Sequence, residues 1–96
     1  MPEGRLQGKV ALVTGAGAGI GAGIANVLAR EGARVYASDV DEAASAQTAE
    51  AIRASGGEAF DLALDVTKGQ DITAAFRRIE EVHGRLDVVV NNAGLN

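Results

Sequence analysis

The residues most capable of chemistry form a glycine-rich segment, Thr14 to Gly21, with the sequence TGAGAGIG. A β-branched apolar run precedes this segment and a helical pattern follows it, which is the context of a dinucleotide-binding turn. Glycine makes such a turn tight, lets the backbone approach a pyrophosphate, and lets the helix pack closely on the strand. A flexible glycine-rich turn is the alternative interpretation.

The helix that follows this segment begins without a residue that can cap it. Only glycine and alanine stand between Gly15 and Gly19, so the first amides and the positive end of the helix dipole have no side-chain acceptor. We therefore expect an external anion, such as a phosphate, to take that place.

Asp39 ends the second predicted strand, about 20 residues beyond the glycines, where a carboxylate accepts hydrogen bonds from ribose hydroxyls. Its charge would repel a 2′-phosphate, and Ala18 stands in the loop where NADP would need a cation. We therefore expect NAD as the cofactor in preference to NADP. The alternative is that the Asp39 carboxylate interacts with the positive end of the dipole of the second helix. Asp41, as the N-cap of that helix, is better placed for this role.

Four strands and three helices must position these residues. Short β-branched runs alternate with helical patterns, which predicts βαβ units and a parallel sheet. The predicted strands are Lys9 to Thr14, Arg34 to Asp39, Glu58 to Asp65 and Leu86 to Asn91, the last with a valine run typical of burial on both faces. The second helix is predicted from Asp41 to Ser55.

Apolar spacing and end residues define the helices further. One buried stripe is predicted for the first helix, from Ile20, Ile24, Val27 and Leu28, and one for the third, from Ile72, Ala75, Phe76 and Ile79. Thr67 and Gln70 have the spacing of a capping box for the third helix. Left-handed glycines are expected to end the three helices, at Gly32, Gly56 and Gly84.

Composition excludes several classes of function. The 96 residues are 47% hydrophobic and 23% charged, typical of a packed globular domain. The net charge of -4 argues against nucleic-acid binding. With no cysteine and only His83, we expect neither disulfides nor a metal site. No apolar run approaches a membrane span, so we expect no membrane partner and a cytoplasmic location.

The glycine segment together with Asn91-Asn92-Ala93-Gly94 resembles the short-chain dehydrogenase/reductase family. The resemblance extends from about Gly8 to the end of the chain and makes Gly15, Gly19 and Gly21 the family glycines. It implies an α/β fold, a three-layer Rossmann-type half-domain with parallel sheet order 3-2-1-4 and helices on both faces.

The resemblance also implies how a nicotinamide dinucleotide would bind. Asp65 and Val66 look like the family pair that holds the adenine, although Asp65 is alternatively a solvated carboxylate before Thr67. One asparagine of the motif helps to hold the central strands, and a structural role is expected for Asn91. The backbone around Asn92, Ala93 and Gly94 borders the nicotinamide ribose. The predicted cofactor-binding residues are Gly15, Gly17, Ala18, Gly19, Ile20, Gly21, Asp39, Val40, Asp65, Val66, Asn92, Ala93 and Gly94.

No catalytic residue is assigned. In the family, a tyrosine and a lysine four residues later assist hydride transfer, and we expect them beyond residue 96. Tyr36 lies in a predicted strand and is followed four residues later by Val40. His83 is expected at the end of the third helix, where it meets the helix dipole.

Residues 1–96 are accordingly expected to be one dinucleotide-binding half-domain that stops after strand four. Strand four would then be a sheet edge, and we expect a homodimer to cover it.

Three functions stay open at this point. The first is the NAD-binding portion of an oxidoreductase that transfers hydride between the cofactor and an alcohol or carbonyl substrate. The second is a stand-alone nucleotide-binding module without turnover. The third is a minimal oxidoreductase that acts by positioning the cofactor, which NADH oxidation with carbonyl compounds or quinones would reveal.

Overall fold

The computed structural model describes residues 4–93, so the predicted site residue Gly94 lies outside the described residues. The chain forms a four-stranded parallel sheet in the order β3-β2-β1-β4, as predicted. In chain order the elements are β1 (Val10–Val13), α1 (Gly19–Arg30), β2 (Arg34–Asp39), α2 (Glu42–Ala54), β3 (Glu58–Ala63), α3 (Gly69–His83) and β4 (Val88–Val90).

Helices cover both faces of the sheet. Ala25 of α1 and Ile52 of α2 pack with Val13 in one buried cluster. On the opposite face, Ile79 of α3 packs with Leu12. All four residues of β1 are apolar, and the two clusters bury them from both faces. A strand that is covered on both faces requires this composition. The structure thus has the three layers expected from the sequence.

The buried stripe of α1 differs from the predicted one. Ile20 is 77% exposed and Val27 is 53% exposed, whereas Gly21 and Ala25 are the buried residues of the helix. The prediction was wrong for Ile20 and Val27 but correct for Ile24 and Leu28, which are partly buried and pack against the core cluster. The small residues Gly21 and Ala25 make the closest approach of α1 to the rest of the fold. Phe76 of α3 was likewise predicted to be buried but is 38% exposed.

The helix ends agree with the sequence except at the start of α3. Asp41 caps α2, because its side chain accepts a hydrogen bond from the Ala44 amide. The capping box at Thr67 was wrong: the N-cap of α3 is Lys68, which makes no side-chain capping bond. Thr67 instead donates its amide and hydroxyl to the Asp65 carboxylate, a local alternative to helix capping.

The three helix-ending glycines adopt the left-handed backbone that was predicted. Their φ angles are +97° at Gly32, +94° at Gly56 and +72° at Gly84.

Strand β2 has the predicted bounds, whereas β1, β3 and β4 are shorter than the sequence indicated, because their pairing stops before the predicted ends. The register of β3 with β2 ends at Ala63 opposite Asp39. The chain then turns, and the Leu64 amide donates to the Asp39 carbonyl.

The β4 strand is an edge of the sheet, as expected. It pairs with β1 on one side, and Val89 is 49% exposed.

None of the helices described in residues 4–93 is long and apolar enough to cross a membrane.

Asp87 fastens the beginning of β4 to the beginning of β1. Its carboxylate accepts a hydrogen bond from the Val10 amide at 2.9 Å, and its own amide donates to the Val10 carbonyl at 2.9 Å. Arg85 donates twice to the same carboxylate. The Arg85 hydrogen bonds, with that from Val10, lower the pKa of Asp87 from 3.8 to about 2.

This pKa predicts a loss of stability in acid. Because the folded-state pKa is lowered, the ionised carboxylate stabilises the fold above pH 3.8, and that contribution disappears as the pH falls to about 2. We expect Asp87→Asn to reduce the pH dependence of the urea-unfolding midpoint across this interval. Asp61→Asn, at an exposed carboxylate on β3, is the charge-matched control. Equal pH profiles for the two variants would contradict this role of Asp87.

Candidate functional site

A cleft of about 530 Å³ opens at the carboxyl edge of the sheet, where the ends of the parallel strands meet. Ligands of open α/β sheets bind at this edge, where the strand order reverses. Most of the lining residues were predicted from the sequence; the full set is Gly15, Ala18, Gly19, Ile20, Asp39, Val40, Leu64, Asp65, Val66, Thr67, Asn92 and Ala93. The structure therefore brings together the glycine segment and the residues after β2, β3 and β4.

The glycine segment turns sharply from β1 into α1. Gly15 and Gly19 have φ angles of +63° and +59°, a backbone that favours glycine. Ala18 is the extended N-cap, and its methyl group cannot accept a hydrogen bond. The first intrahelical bond runs from the Ala22 amide to the Ala18 carbonyl. The amides before Ala22 thus stand at the positive end of α1, beside the cleft.

Gly21 lies beneath the cleft, where α1 touches the loop after β1. A Cβ atom at Gly21 would overlap the Gly15 carbonyl oxygen and lie 2.6 Å from Asn92 Nδ2. The side-chain amide of Asn92 donates through Nδ2 to the same Gly15 carbonyl at 3.1 Å. Gly21 is therefore a packing residue that lets α1 begin next to the cleft, as the motif predicts.

Thr14 connects the ends of β1 and β4. Its amide donates to the Val90 carbonyl at 3.0 Å, and its hydroxyl accepts from the Ala93 amide at 3.1 Å. The single hydroxyl proton has two acceptors at 3.3 Å, the Val90 carbonyl and Asn91 Oδ1. Asn91 thus contributes to the junction of the two strands, which agrees with the structural role predicted for it.

Asp39 forms the wall of the cleft at the end of β2. One carboxylate oxygen accepts from the Gly17 amide at 2.9 Å, and the other accepts from the Asp41 amide at 3.0 Å. These bonds fix the carboxylate between the glycine loop and the beginning of α2. Gly17 itself does not line the cleft, because it supports Asp39 from behind.

The wall after β3 combines a carboxylate with apolar groups. The hydrogen bonds from Thr67 lower the pKa of Asp65 below its usual value, so Asp65 is ionised at neutral pH. Leu64 and Thr67 line the cleft but were missed from the sequence. The position of Leu64 immediately before Asp65 was the available signal, whereas Thr67 had been assigned to a helix cap.

The polar groups of the cleft differ in charge. The residues at the beginning of α1 and the carboxylate residues Asp39 and Asp65 all line the cleft. Ile20 and Val40, two large apolar residues that are 77% and 72% exposed, line the same cleft. This arrangement suits an elongated ligand with an anionic group near α1, hydroxyl or amino donors near the carboxylates, and flat apolar surface over the two side chains.

Tyr36 and His83, considered as catalytic candidates from their residue types, meet on the α3 face. The Tyr36 hydroxyl is 2.8 Å from His83 Nε2, and the Tyr36 ring stacks on Phe60. Burial raises the pKa of Tyr36 above its ordinary value. Neither residue lines the cleft, and Tyr36 is a sheet residue as predicted.

Comparison with known proteins places this geometry in a family. The family model described as short chain dehydrogenase matches residues 9–96. The chain is 47% identical over 92 residues to cyclopentanol dehydrogenase of Comamonas sp., covering 96% of the chain and 37% of that protein. It is 45% identical over 94 residues to probable oxidoreductase EphD of Mycobacterium tuberculosis, covering 98% of the chain and 16% of that protein.

A solved structure has the same fold. The crystal structure of hydroxysteroid dehydrogenase from Escherichia coli superposes with a TM-score of 0.90 at 42% sequence identity, over 94% of this chain and 38% of that chain. The chain thus spans less than two fifths of the length of each of these relatives.

Two glycines of α1 provide a matched test of the close packing at the cleft. We expect Gly21→Ala to lower the free energy of unfolding by about 1–3 kcal/mol, because the added methyl group overlaps the Gly15 carbonyl. Gly23→Ala meets no atom within 4 Å and should raise stability by about 0.5–1 kcal/mol through helix propensity. Urea denaturation measures both, and equal effects would contradict the packing role of Gly21.

Proposed function

The chain belongs to the short-chain dehydrogenase family, and we propose that it forms the NAD-binding portion of an oxidoreductase. The observation that carries this proposal is that the start of α1 and the Asp39 carboxylate line the same cleft. The corresponding reaction would transfer hydride between the cofactor and an alcohol or carbonyl substrate. Two relatives are named as dehydrogenases of cyclopentanol and of a hydroxysteroid, which favours that substrate class.

The described residues fit each part of a nicotinamide dinucleotide. The amides at the beginning of α1 would hold the pyrophosphate. Asp39 would accept hydrogen bonds from the adenosine ribose, and Asp65 with Val66 would border the adenine. The backbone after β4, at Asn92 and Ala93, would border the nicotinamide ribose, with Gly94 proposed from the sequence alone. The nicotinamide supplies hydride chemistry when it is bound, and these residues would orient it.

Electrostatics favours NAD over NADP. Asp39 is held at the ribose end of the cleft by two amides, so it cannot turn away from a 2′-phosphate without losing those bonds. Ala18 provides no compensating cation in the loop. An added dianionic phosphate beside this carboxylate would therefore be repelled.

Family membership favours this proposal over the two alternatives. A stand-alone binding module and a minimal oxidoreductase would both use the same cleft, so cofactor affinity does not separate them. Turnover of NADH with simple carbonyl compounds or quinones would support the minimal oxidoreductase.

Asp39→Asn tests the basis of the cofactor preference. We expect the wild-type chain to bind NAD more tightly than NADP, and the substitution to narrow the difference in binding free energy by roughly 1–3 kcal/mol, because the repelling charge is removed. Titration calorimetry with both cofactors measures the effect.

Asp41→Asn is the matched control for that experiment. It removes the same charge two residues away, and asparagine caps a helix as well as aspartate does, so the preference should persist. Tighter binding of NADP by the wild type, or the same narrowing in both variants, would contradict the role of Asp39.

We further propose that the chain forms a homodimer through β4. An unpaired strand edge exposes backbone donors and acceptors that another strand can satisfy. The half-exposed Val89 adds apolar surface to this edge, and a two-fold axis would close the interface without growth of a filament. The helix faces are the other surfaces that could drive association.

Val89→Lys should weaken this dimer, because it places a charge at the centre of β4. Sedimentation equilibrium at micromolar concentration measures the effect as an increase in the dissociation constant. The control Val82→Lys, at a 63% exposed valine of α3, should leave the dissociation constant of the dimer unchanged. A monomeric wild-type chain that unfolds cooperatively would overturn the dimer proposal.

A further inference from the structure

The peptide that joins Ala16 to Gly17 is held at both of its polar ends. Its carbonyl accepts a hydrogen bond from the Thr48 hydroxyl at 2.8 Å. Its N–H donates to the Asp39 carboxylate at 2.9 Å. Helix α2 and strand β2 therefore fix the orientation of one peptide plane within the glycine loop.

The Thr48 hydroxyl is committed to this contact. Threonine within a helix commonly bonds a carbonyl of its own helix, one turn earlier. Thr48 lies in the middle of α2 and is only 6% exposed, yet its one proton goes to the glycine loop instead. A buried hydroxyl that reaches across to another element fixes the relative position of the two.

The rest of the first half of the loop is tied to the sheet. The Ala16 amide donates to the Ser38 carbonyl at 2.8 Å, and the buried Ser38 hydroxyl donates to the Val13 carbonyl at 2.9 Å. Rotation of the peptide between Ala16 and Gly17 would break the hydrogen bond from Thr48 to its carbonyl. Any such rotation would withdraw the Gly17 N–H from Asp39.

Gly17 leaves no space for an alternative arrangement. A Cβ atom at this position would lie 2.6 Å from the Ala44 methyl group and 2.8 Å from the Asp39 carboxylate oxygen. The loop, α2 and Asp39 thus pack closely together, and the Gly17 amide orients one oxygen of the carboxylate while the Asp41 amide holds the other.

We propose that Thr48 is a positioning residue, which aims the Asp39 carboxylate at the cofactor ribose by fixing the peptide between Ala16 and Gly17. This proposal rests on the proposed function and deepens it. Thr48 touches no ligand in this arrangement, since it does not line the cleft. Its effect on cofactor choice passes through the loop peptide to Asp39.

Thr48→Val tests the proposal because valine keeps the branched shape and removes the hydroxyl. We expect NAD affinity to fall about five- to tenfold while NADP affinity changes little, as measured by calorimetry on residues 1–96. Thr48→Ser keeps the hydroxyl, so it should retain the NAD affinity of the wild type and its preference for NAD over NADP. Ser45→Ala is the matched control, because among the described residues this buried hydroxyl of α2 bonds the Glu42 carbonyl of its own helix and does not reach the glycine loop.

A ligand-free measurement separates this inference from the proposed function. Hydrogen exchange of the Gly17 amide, followed by NMR, should be faster in Thr48→Val than in Ser45→Ala at equal thermal stability. Unchanged Gly17 exchange together with an unchanged NAD-to-NADP ratio would overturn the positioning role. A wild-type chain that binds neither cofactor would instead overturn the proposed function, even if Gly17 exchange responds as expected.

Discussion

The close contact between α1 and the loop after β1 is the constraint on which the candidate site depends. Gly21 has no Cβ, so the helix can begin directly against the Gly15 carbonyl, which also accepts a hydrogen bond from Asn92. This contact brings the amino end of α1 and the segment after β4 to the same edge of the sheet. A longer separation would withdraw the helix amides from the cleft that Asp39 borders.

The fixed backbone also explains how the site can distinguish charge. The amides at the beginning of α1 would attract an anion, while the carboxylates of Asp39 and Asp65 would repel one in their own part of the cleft. Asp39 is already hydrogen-bonded to Gly17 and Asp41 before any ligand arrives. The selectivity that we propose therefore arises from groups that folding has positioned, and binding does not have to organise them.

Local patterns along the chain predicted the glycine turn, the alternation of strands and helices, and Asp39, whereas the sheet order and the cleft residues after β3 and β4 came from the family resemblance. Prediction from the sequence failed where one specific contact, and not a pattern along the chain, decides the outcome. Ile20 follows the apolar period of a buried stripe, but the close packing of Gly21 turns it toward the cleft. Thr67 has the spacing of a cap, but its amide and its hydroxyl both donate to the nearby Asp65 carboxylate instead. Thr48 gave no signal at all, since its partner lies 32 residues away.

The central claim is that one cleft at the carboxyl edge binds NAD through the beginning of α1 and the end of β2. Titration of the isotopically labelled chain with NAD, followed by amide NMR, tests this claim most directly. The account predicts that the largest shift changes fall on Gly19, Ile20 and Val40, with little change at Gly56, which precedes β3 at the opposite edge. Changes centred on Gly56, or none at saturating NAD, would contradict it.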